Sequence, residues 1–298
     1  MAITCHDLTK SYGAVNALNK LSFTIEDNTI TGVIGRNGAG KTTLLKLIAG
    51  FIKGNSGELR VFSESPFDNL NISANMIFID DQMYLPSSLN LKEILEVTGD
   101  FYENWDQDLA ERLFNYFEFD PRQRHSSLSK GKRSTFNMIL GLASRCPLTI
   151  FDEPTTGMDA AARKDFYRAL LKDYLAYPRT ILLSSHLLNE IEDLLEYVLL
   201  IKNGEKCLHE TIEDLKEYAI GVRGEKDLIQ EWINRQELLH IKEIGMNQLY
   251  VVVKNQFTEL ELKQLTESNG FQLSKVAADD VCVYLTSSTK GGIDDVFN

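Results

Sequence analysis

A chain of 298 residues with 43% hydrophobic side chains can bury a substantial core, as one large domain or one domain plus a small appendage. Its formal net charge of −12 implies no large basic surface for nucleic acid or anionic lipid. The scattered Cys5, Cys146, Cys207 and Cys282 form no C-x-x-C pair and suggest neither a disulfide framework nor a zinc site, and no window approaches the ~18 apolar residues of a membrane helix. Met1–Lys10 lacks the apolar stretch of a signal peptide, so a soluble intracellular protein is expected.

Alternation predicts antiparallel strands over Ile3–Leu8 and Leu21–Ile25. The β-branched run Ile30–Ile34 then leads into Gly35-Arg36-Asn37-Gly38-Ala39-Gly40-Lys41-Thr42, followed by the helix formers Thr43–Ile48. This is G-x-x-x-x-G-K-[ST] between a strand and a helix, the context in which it binds phosphate. The glycines let the backbone curl so that successive N–H groups face a polyphosphate. The helix adds the positive end of its dipole. Lys41 is placed to reach the β- and γ-phosphates, and Thr42 to offer its hydroxyl to Mg²⁺. The chain is therefore expected to bind a nucleoside triphosphate.

Gly50 ends that helix, and Gly54–Gly57 is a turn before a strand at Glu58–Phe62. Met76–Ile79 reads as a short buried strand opening into the loop Asp80-Asp81-Gln82. Helical spacing runs from Leu91 to about Phe119, and a second helix from Lys130 to Ser144 follows the cap-like Ser129. Strands return at Leu148–Phe151, Thr180–Ser184 and Val198–Lys202 with helices between them, the pattern of a mostly parallel sheet covered on both faces. Asn203-Gly204 marks a hairpin. Beyond Tyr218 the order changes to βαββαβ, the ferredoxin-like pattern, with strands at Ile220–Val222, Leu238–Ile244, Leu249–Val253 and Phe271–Val276. Helices are expected at Lys226–Arg235 and Thr258–Ser268, and Ala278–Leu285 fits a helix or a strand.

Four further segments narrow the chemistry. Asp152 and Glu153 end the strand from Leu148; the first suits Mg²⁺ and the second can polarise an attacking water. Leu128-Ser129-Lys130-Gly131-Lys132 opens a helix, His186 follows a strand, and Tyr12 stands in Lys10-Ser11-Tyr12-Gly13.

In this order, these residues closely resemble the ATP-binding subunits of ABC transporters, over Ile3 to about Tyr218. The resemblance implies an adenine-stacking aromatic (Tyr12), a Walker A loop (Gly35–Thr42), a signature (Leu128–Lys132), a Walker B strand with its glutamate (Asp152, Glu153), a D-loop (Gly157-Met158-Asp159) and a switch histidine (His186). It implies an α/β P-loop NTPase domain of ABC type over residues 1–218, with an antiparallel β subdomain and a helical subdomain at about 88–146. A small ferredoxin-like α+β domain, regulatory or dimer-stabilising, would occupy 219–298.

Two departures stand out. The family's signature reads LSGGQ, whereas here Lys130 replaces a glycine and Lys132 the glutamine; a lysine can add charge to that site, or its Cβ can prevent the glycine's backbone geometry. In the glutamine loop, alignment on the following helix puts Asp81 at the expected position, with Gln82 one residue later. Gln82 is taken as the Mg²⁺ and water contact.

By the same resemblance, two subunits would sandwich two ATP molecules. Each nucleotide would lie on Gly35, Arg36, Asn37, Gly38, Ala39, Gly40, Lys41, Thr42 and Thr43 of one subunit, under Ser129 and Gly131 of the other, with Mg²⁺ at Thr42, Asp152 and Gln82. Glu153 would hold the attacking water, and Lys41 and His186 would stabilise the transferring phosphoryl group. A separate integral membrane permease would dock near the Gln82 loop and Leu91–Phe119, leaving this protein cytoplasmic and peripheral on the inner face of the cell membrane. The single cassette with an appendage resembles bacterial exporter ATPases. Alternatives are a soluble ABC-type ATPase and a weakly hydrolytic regulatory ATP-binding module.

Overall fold

A computed structural model describes residues 1–287. The chain begins with β1 (Ile3–Tyr12) and β2 (Val15–Ile25), then β3 (Ile30–Ile34), α1 (Lys41–Ile48), β4 (Ser56–Val61), α2 (Leu70–Ala74) and β5 (Met76–Ile79). Three helices follow, α3 (Leu91–Phe101), α4 (Gln107–Tyr116) and α5 (Lys130–Ala143). The chain then alternates through β6 (Leu148–Asp152), α6 (Ala160–Ala176), β7 (Thr180–Ser185), β8 (Tyr197–Lys202) and β9 (Glu205–Thr211). The last elements are α7 (Ile212–Glu217), β10 (Ala219–Glu225), α8 (Lys226–Ile233), β11 (Leu238–Ile244), β12 (Gln248–Lys254), α9 (Glu259–Asn269), β13 (Gln272–Lys275) and α10 (Ala278–Thr286).

The described chain divides after His209 into two compact units. In the first, a six-stranded sheet has the order β5-β6-β7-β3-β8-β9, and β3, β5, β6, β7 and β8 run parallel. Residues of β3, β6 and β7 are buried throughout, as their unbroken apolar runs require of strands covered on both faces. Asn203 and Gly204, both at positive φ, make the β8–β9 turn. A three-stranded antiparallel sheet, β2-β1-β4, packs with α1 against the larger sheet. Leu18, Leu44, Leu47, Val61, Ile150, Leu182 and Leu199 share that core.

The continuous helical spacing expected from Leu91 to Phe119 is divided between α3 and α4. Tyr102 is extended, and the Asp106 carboxylate caps α4 by accepting from Leu109 N–H at 2.8 Å. Arg145, just beyond α5, bridges Asp106 at 2.7 Å and Asp173 of α6 at 3.0 Å. Arg179 also meets Asp173, at 2.8 Å, so each largely buried charge has a partner.

In the second unit the sheet order is β11-β12-β10-β13 with every neighbour antiparallel. With α8 and α9 this is the ferredoxin-like arrangement of a βαββαβ chain. Val222, Ile229, Val251, Val253 and Phe271 form its core. Ala278–Leu285 lies in helix α10, which packs on α7 and β11. Helix α7 precedes the expected junction at 218, yet it groups with the second unit through β10 and α10.

Candidate functional site

Strand β3 ends at the centre of the parallel sheet, between β7 and β8, and the loop after it lies at the carboxyl ends of those strands. In open α/β sheets ligands bind at that edge. Gly40 is left-handed at φ 108°, and a Cβ there would stand 2.5 Å from Ala17 O, so both conformation and space demand glycine. It lets α1 begin at Lys41 with its amino end toward a cleft of about 730 Å³. Arg36 through Thr43 line that cleft, together with Lys46, Asp80, Asp81, Gln82, Asp152, Glu153, Thr156 and His186. Gly35 stands behind it, its carbonyl accepting from Lys41 Nζ at 2.7 Å.

Lys41 is only 6% exposed, and its ammonium lies 3.2 Å from Glu153 Oε1. The other oxygen of Glu153 lies 2.9 Å from His186 Nδ1. Glu153 is itself left-handed at φ 49°, where β6 turns out of the sheet. Ser184 of β7 fixes that turn: its hydroxyl donates to Asp152 Oδ1 at 2.6 Å and accepts from Glu153 N–H at 2.9 Å. The adjacent strands thus hold a buried carboxylate and a partly exposed one side by side. Lysine, glutamate and histidine converge, although 145 positions separate Lys41 from His186.

Gln82 lines the same cleft. Its loop is shaped by Asp80, whose carboxylate accepts from Gln82 N–H at 3.1 Å and whose carbonyl accepts from Asn137 Nδ2 at 3.2 Å. Burial pushes the Asp80 carboxyl above its ordinary pKa; the Gln82 N–H and then Lys46 oppose this, while Asp152 and Asp81 add to it. Thr42, Asp152 and Gln82 offer oxygen donors of the kind Mg²⁺ takes.

The other expected residues lie elsewhere. Tyr12 stands outside the cleft lining, half exposed with Lys10 Nζ 5.1 Å from its ring, while Val15, Asn16 and Ala17 of the same hairpin line the cleft. Ser129 and Gly131 border a separate depression of about 520 Å³ with Gly157, Met158 and Asp159. The Ser129 hydroxyl caps α5, accepting from Lys132 N–H at 3.3 Å. A Cβ on Gly131 would stand 2.3 Å from Gly157 O, so glycine is required there. Lys130 has no such requirement: it opens the helix without a positive φ. Sequence reasoning missed Ser184, Asp80, Lys46 and Thr156. Ser184 carried a signal, a small polar residue at the end of the apolar run Ile181-Leu182-Leu183.

The ABC transporter family profile matches residues 18–156. The ABC transporter ATP-binding protein NatA of Bacillus subtilis is 30% identical over 215 residues, covering 68% of this chain and 85% of that protein. The bacitracin transport ATP-binding protein BcrA of Bacillus licheniformis is 26% identical over 286 residues, 92% of each chain. Among solved structures, the ATP binding subunit of an ABC transporter superposes with a TM-score of 0.65 at 25% identity, over 72% of this chain and 92% of that one. A dimeric ATP-binding cassette with bound ADP and Pi shares the fold, with a TM-score of 0.63 at 20% identity, over 70% of this chain and 98% of that one. Agreement in sequence over about two thirds of the chain, and in fold over 72% of it, shows that the protein belongs to the ATP-binding, ATP-hydrolysing subunits of ABC transporters.

Proposed function

We propose that this ATPase powers solute export through a separate membrane permease, working as one of two subunits that close on MgATP. The observation that carries the reading is the division of the machinery on one chain. The cleft gathers Lys41, Glu153 and His186, whereas Ser129 and Gly131 border another depression with the D-loop residues. A second copy, or a similar subunit, would complete each cleft with its own Ser129–Gly131.

In that complex the loop amides of Gly35–Thr43 bind the phosphates, and the Lys41 ammonium leaves Glu153 for the β- and γ-oxygens. Glu153, freed from that contact, accepts the proton of the attacking water, and His186 donates to the γ-phosphoryl oxygens. Tyr12, exposed beside the cleft-lining residues of its hairpin, supplies the adenine platform. Thr42, Asp152 and Gln82 would hold Mg²⁺, which neutralises phosphate charge when bound.

No helix among the described residues is long and apolar enough to cross a membrane; in this reading a separate permease supplies the pathway. An apolar groove follows Gln82, lined by Ile77, Met83, Leu85, Ile94, Val97 and Phe101, with Phe101 79% exposed. A patch of that kind suits the cytoplasmic end of a permease and a peripheral position on the inner face of the membrane. The names of relatives support transport, as in a bacitracin transport protein, and export in particular through a Nod factor export protein.

The test is co-purification with a co-expressed permease. Phe101→Glu is expected to abolish co-purification while the soluble protein still hydrolyses ATP. Full retention of the permease by this variant would overturn the docking surface, and absence of turnover in the wild type would favour the regulatory module.

A further inference from the structure

The two departures from the family pattern, one in the signature and one in the glutamine loop, meet in space. Lys130 Nζ lies 3.2 Å from Asp81 Oδ2 of the same chain. Lys132 plays no part in this: its ammonium is held by Phe117 O at 2.6 Å and lies 5.0 Å from the centre of the Phe119 ring. Asp81 lines the nucleotide cleft between Asp80 and Gln82. That cleft already carries Asp80, Asp152 and Glu153, so a further carboxylate opposes a polyphosphate unless it is neutralised. Helix α5 grips the same loop at a second point. His125 Nε2 lies 2.8 Å from Asn137 Oδ1, and the Asn137 amide nitrogen donates to Asp80 O at 3.2 Å.

We propose that Lys130 and Asp81 are one compensated positioning pair, in which the signature lysine neutralises a carboxylate at the rim of its own subunit's nucleotide cleft. It thereby tunes that cleft for the γ-phosphate and ties the Gln82 loop to the signature helix. The inference rests on the cleft being the ATP site, as argued above. The lysine replaces glycine at no backbone cost, because Lys130 has no positive φ. Side-chain exposures of 53% and 38% keep the pair weak and exchangeable, so its effect is on charge at the cleft rather than on stability.

The test is a double-mutant cycle on the full chain with Lys130→Gln, Asp81→Asn and both together. KM and kcat for MgATP are measured, with ADP affinity by competition. Lys130→Gln is expected to raise KM for ATP about threefold to tenfold, with a smaller loss for ADP, which lacks the γ-phosphate. Adding Asp81→Asn should return KM close to the wild-type value, a rescue that a merely structural role of Lys130 does not produce. Multiplicative single effects, or equal losses for ATP and ADP, would overturn the pair. Lys41→Ala runs beside the cycle: if it leaves ATP affinity unchanged, the cleft assignment falls and the pair with it. A large Lys41 effect without rescue overturns the pair alone.

Discussion

Glu153→Gln exchanges a carboxylate oxygen for an amide nitrogen where the side chain meets Lys41 Nζ at 3.2 Å and His186 Nδ1 at 2.9 Å. The backbone at φ 49° suits glutamine as it does glutamate, and the Ser184 contact is made by the backbone N–H, so the turn is retained. The amide cannot accept the water's proton. A positioned general base contributes a factor of about 10²–10⁴, so turnover should fall by that factor, about 3–5 kcal/mol in the barrier. Nucleotide affinity should move the other way. The variant removes a negative charge from beside the γ-phosphate and frees the Lys41 ammonium from its present partner. Two unit charges about 4 Å apart interact by up to about 4 kcal/mol at an effective dielectric of about 20, and solvent reduces this. ATP should therefore bind at least as tightly as to the wild type, and an ATP-bound dimer should accumulate. Phosphate release at saturating MgATP measures the first effect, and size-exclusion chromatography with and without MgATP the second. A turnover rate within about threefold of the wild type would remove Glu153 as the base. Lost ATP binding in a folded variant would show that its carboxylate serves affinity instead.

Lys41→Ala removes a nearly buried cation that would make two charge-assisted contacts at about 1.5–3 kcal/mol each, so ATP affinity should fall at least about a hundredfold in a fluorescent-analogue titration. Gly131→Ala places a methyl 2.3 Å from Gly157 O, a clash expected to cost about 1–3 kcal/mol by thermal melting and to abolish ATP-dependent dimerisation. A variant of wild-type stability that still dimerises would argue against the close approach of α5 to the D-loop. Deleting residues 212–298 preserves β9 and removes the core of the second unit, so the fragment should stay soluble and bind MgATP. A fragment that is folded by circular dichroism but fails to bind nucleotide would mean that the C-terminal unit contributes to the site.

Local chemistry made part of this protein legible from its sequence. A left-handed glycine before Lys41, the positive-φ pair Asn203-Gly204, the cap at Ser129 and the uninterrupted apolar runs of β3, β6 and β7 each act within a few residues. Those signals were enough for the strand–loop–helix around Gly35–Thr42, the two carboxylates at the end of β6, the parallel sheet and the βαββαβ order of the second unit. Where local signals compete, the sequence marks an element's ends less sharply. The helical spacing from Leu91 to Phe119 runs on through Tyr102–Trp105, and only the cap at Asp106 marks the break. The grouping of α7 with the second unit depends on β10 and on α10, the latter some sixty residues away, which no window around Ile212 contains.

Tertiary structure alone decided how distant segments combine. The order β5-β6-β7-β3-β8-β9 sets the ends of β3, β6 and β7 together, and only then do Lys41, Glu153 and His186 form one cluster buttressed by Ser184. The same packing brings Lys130 against Asp81, turning two separate irregularities of sequence into one ion pair. Backbone preferences and periodicity are encoded by neighbours along the chain. Contacts between charges are set by which strands pair and how helices lie on them, a property of the whole packed core.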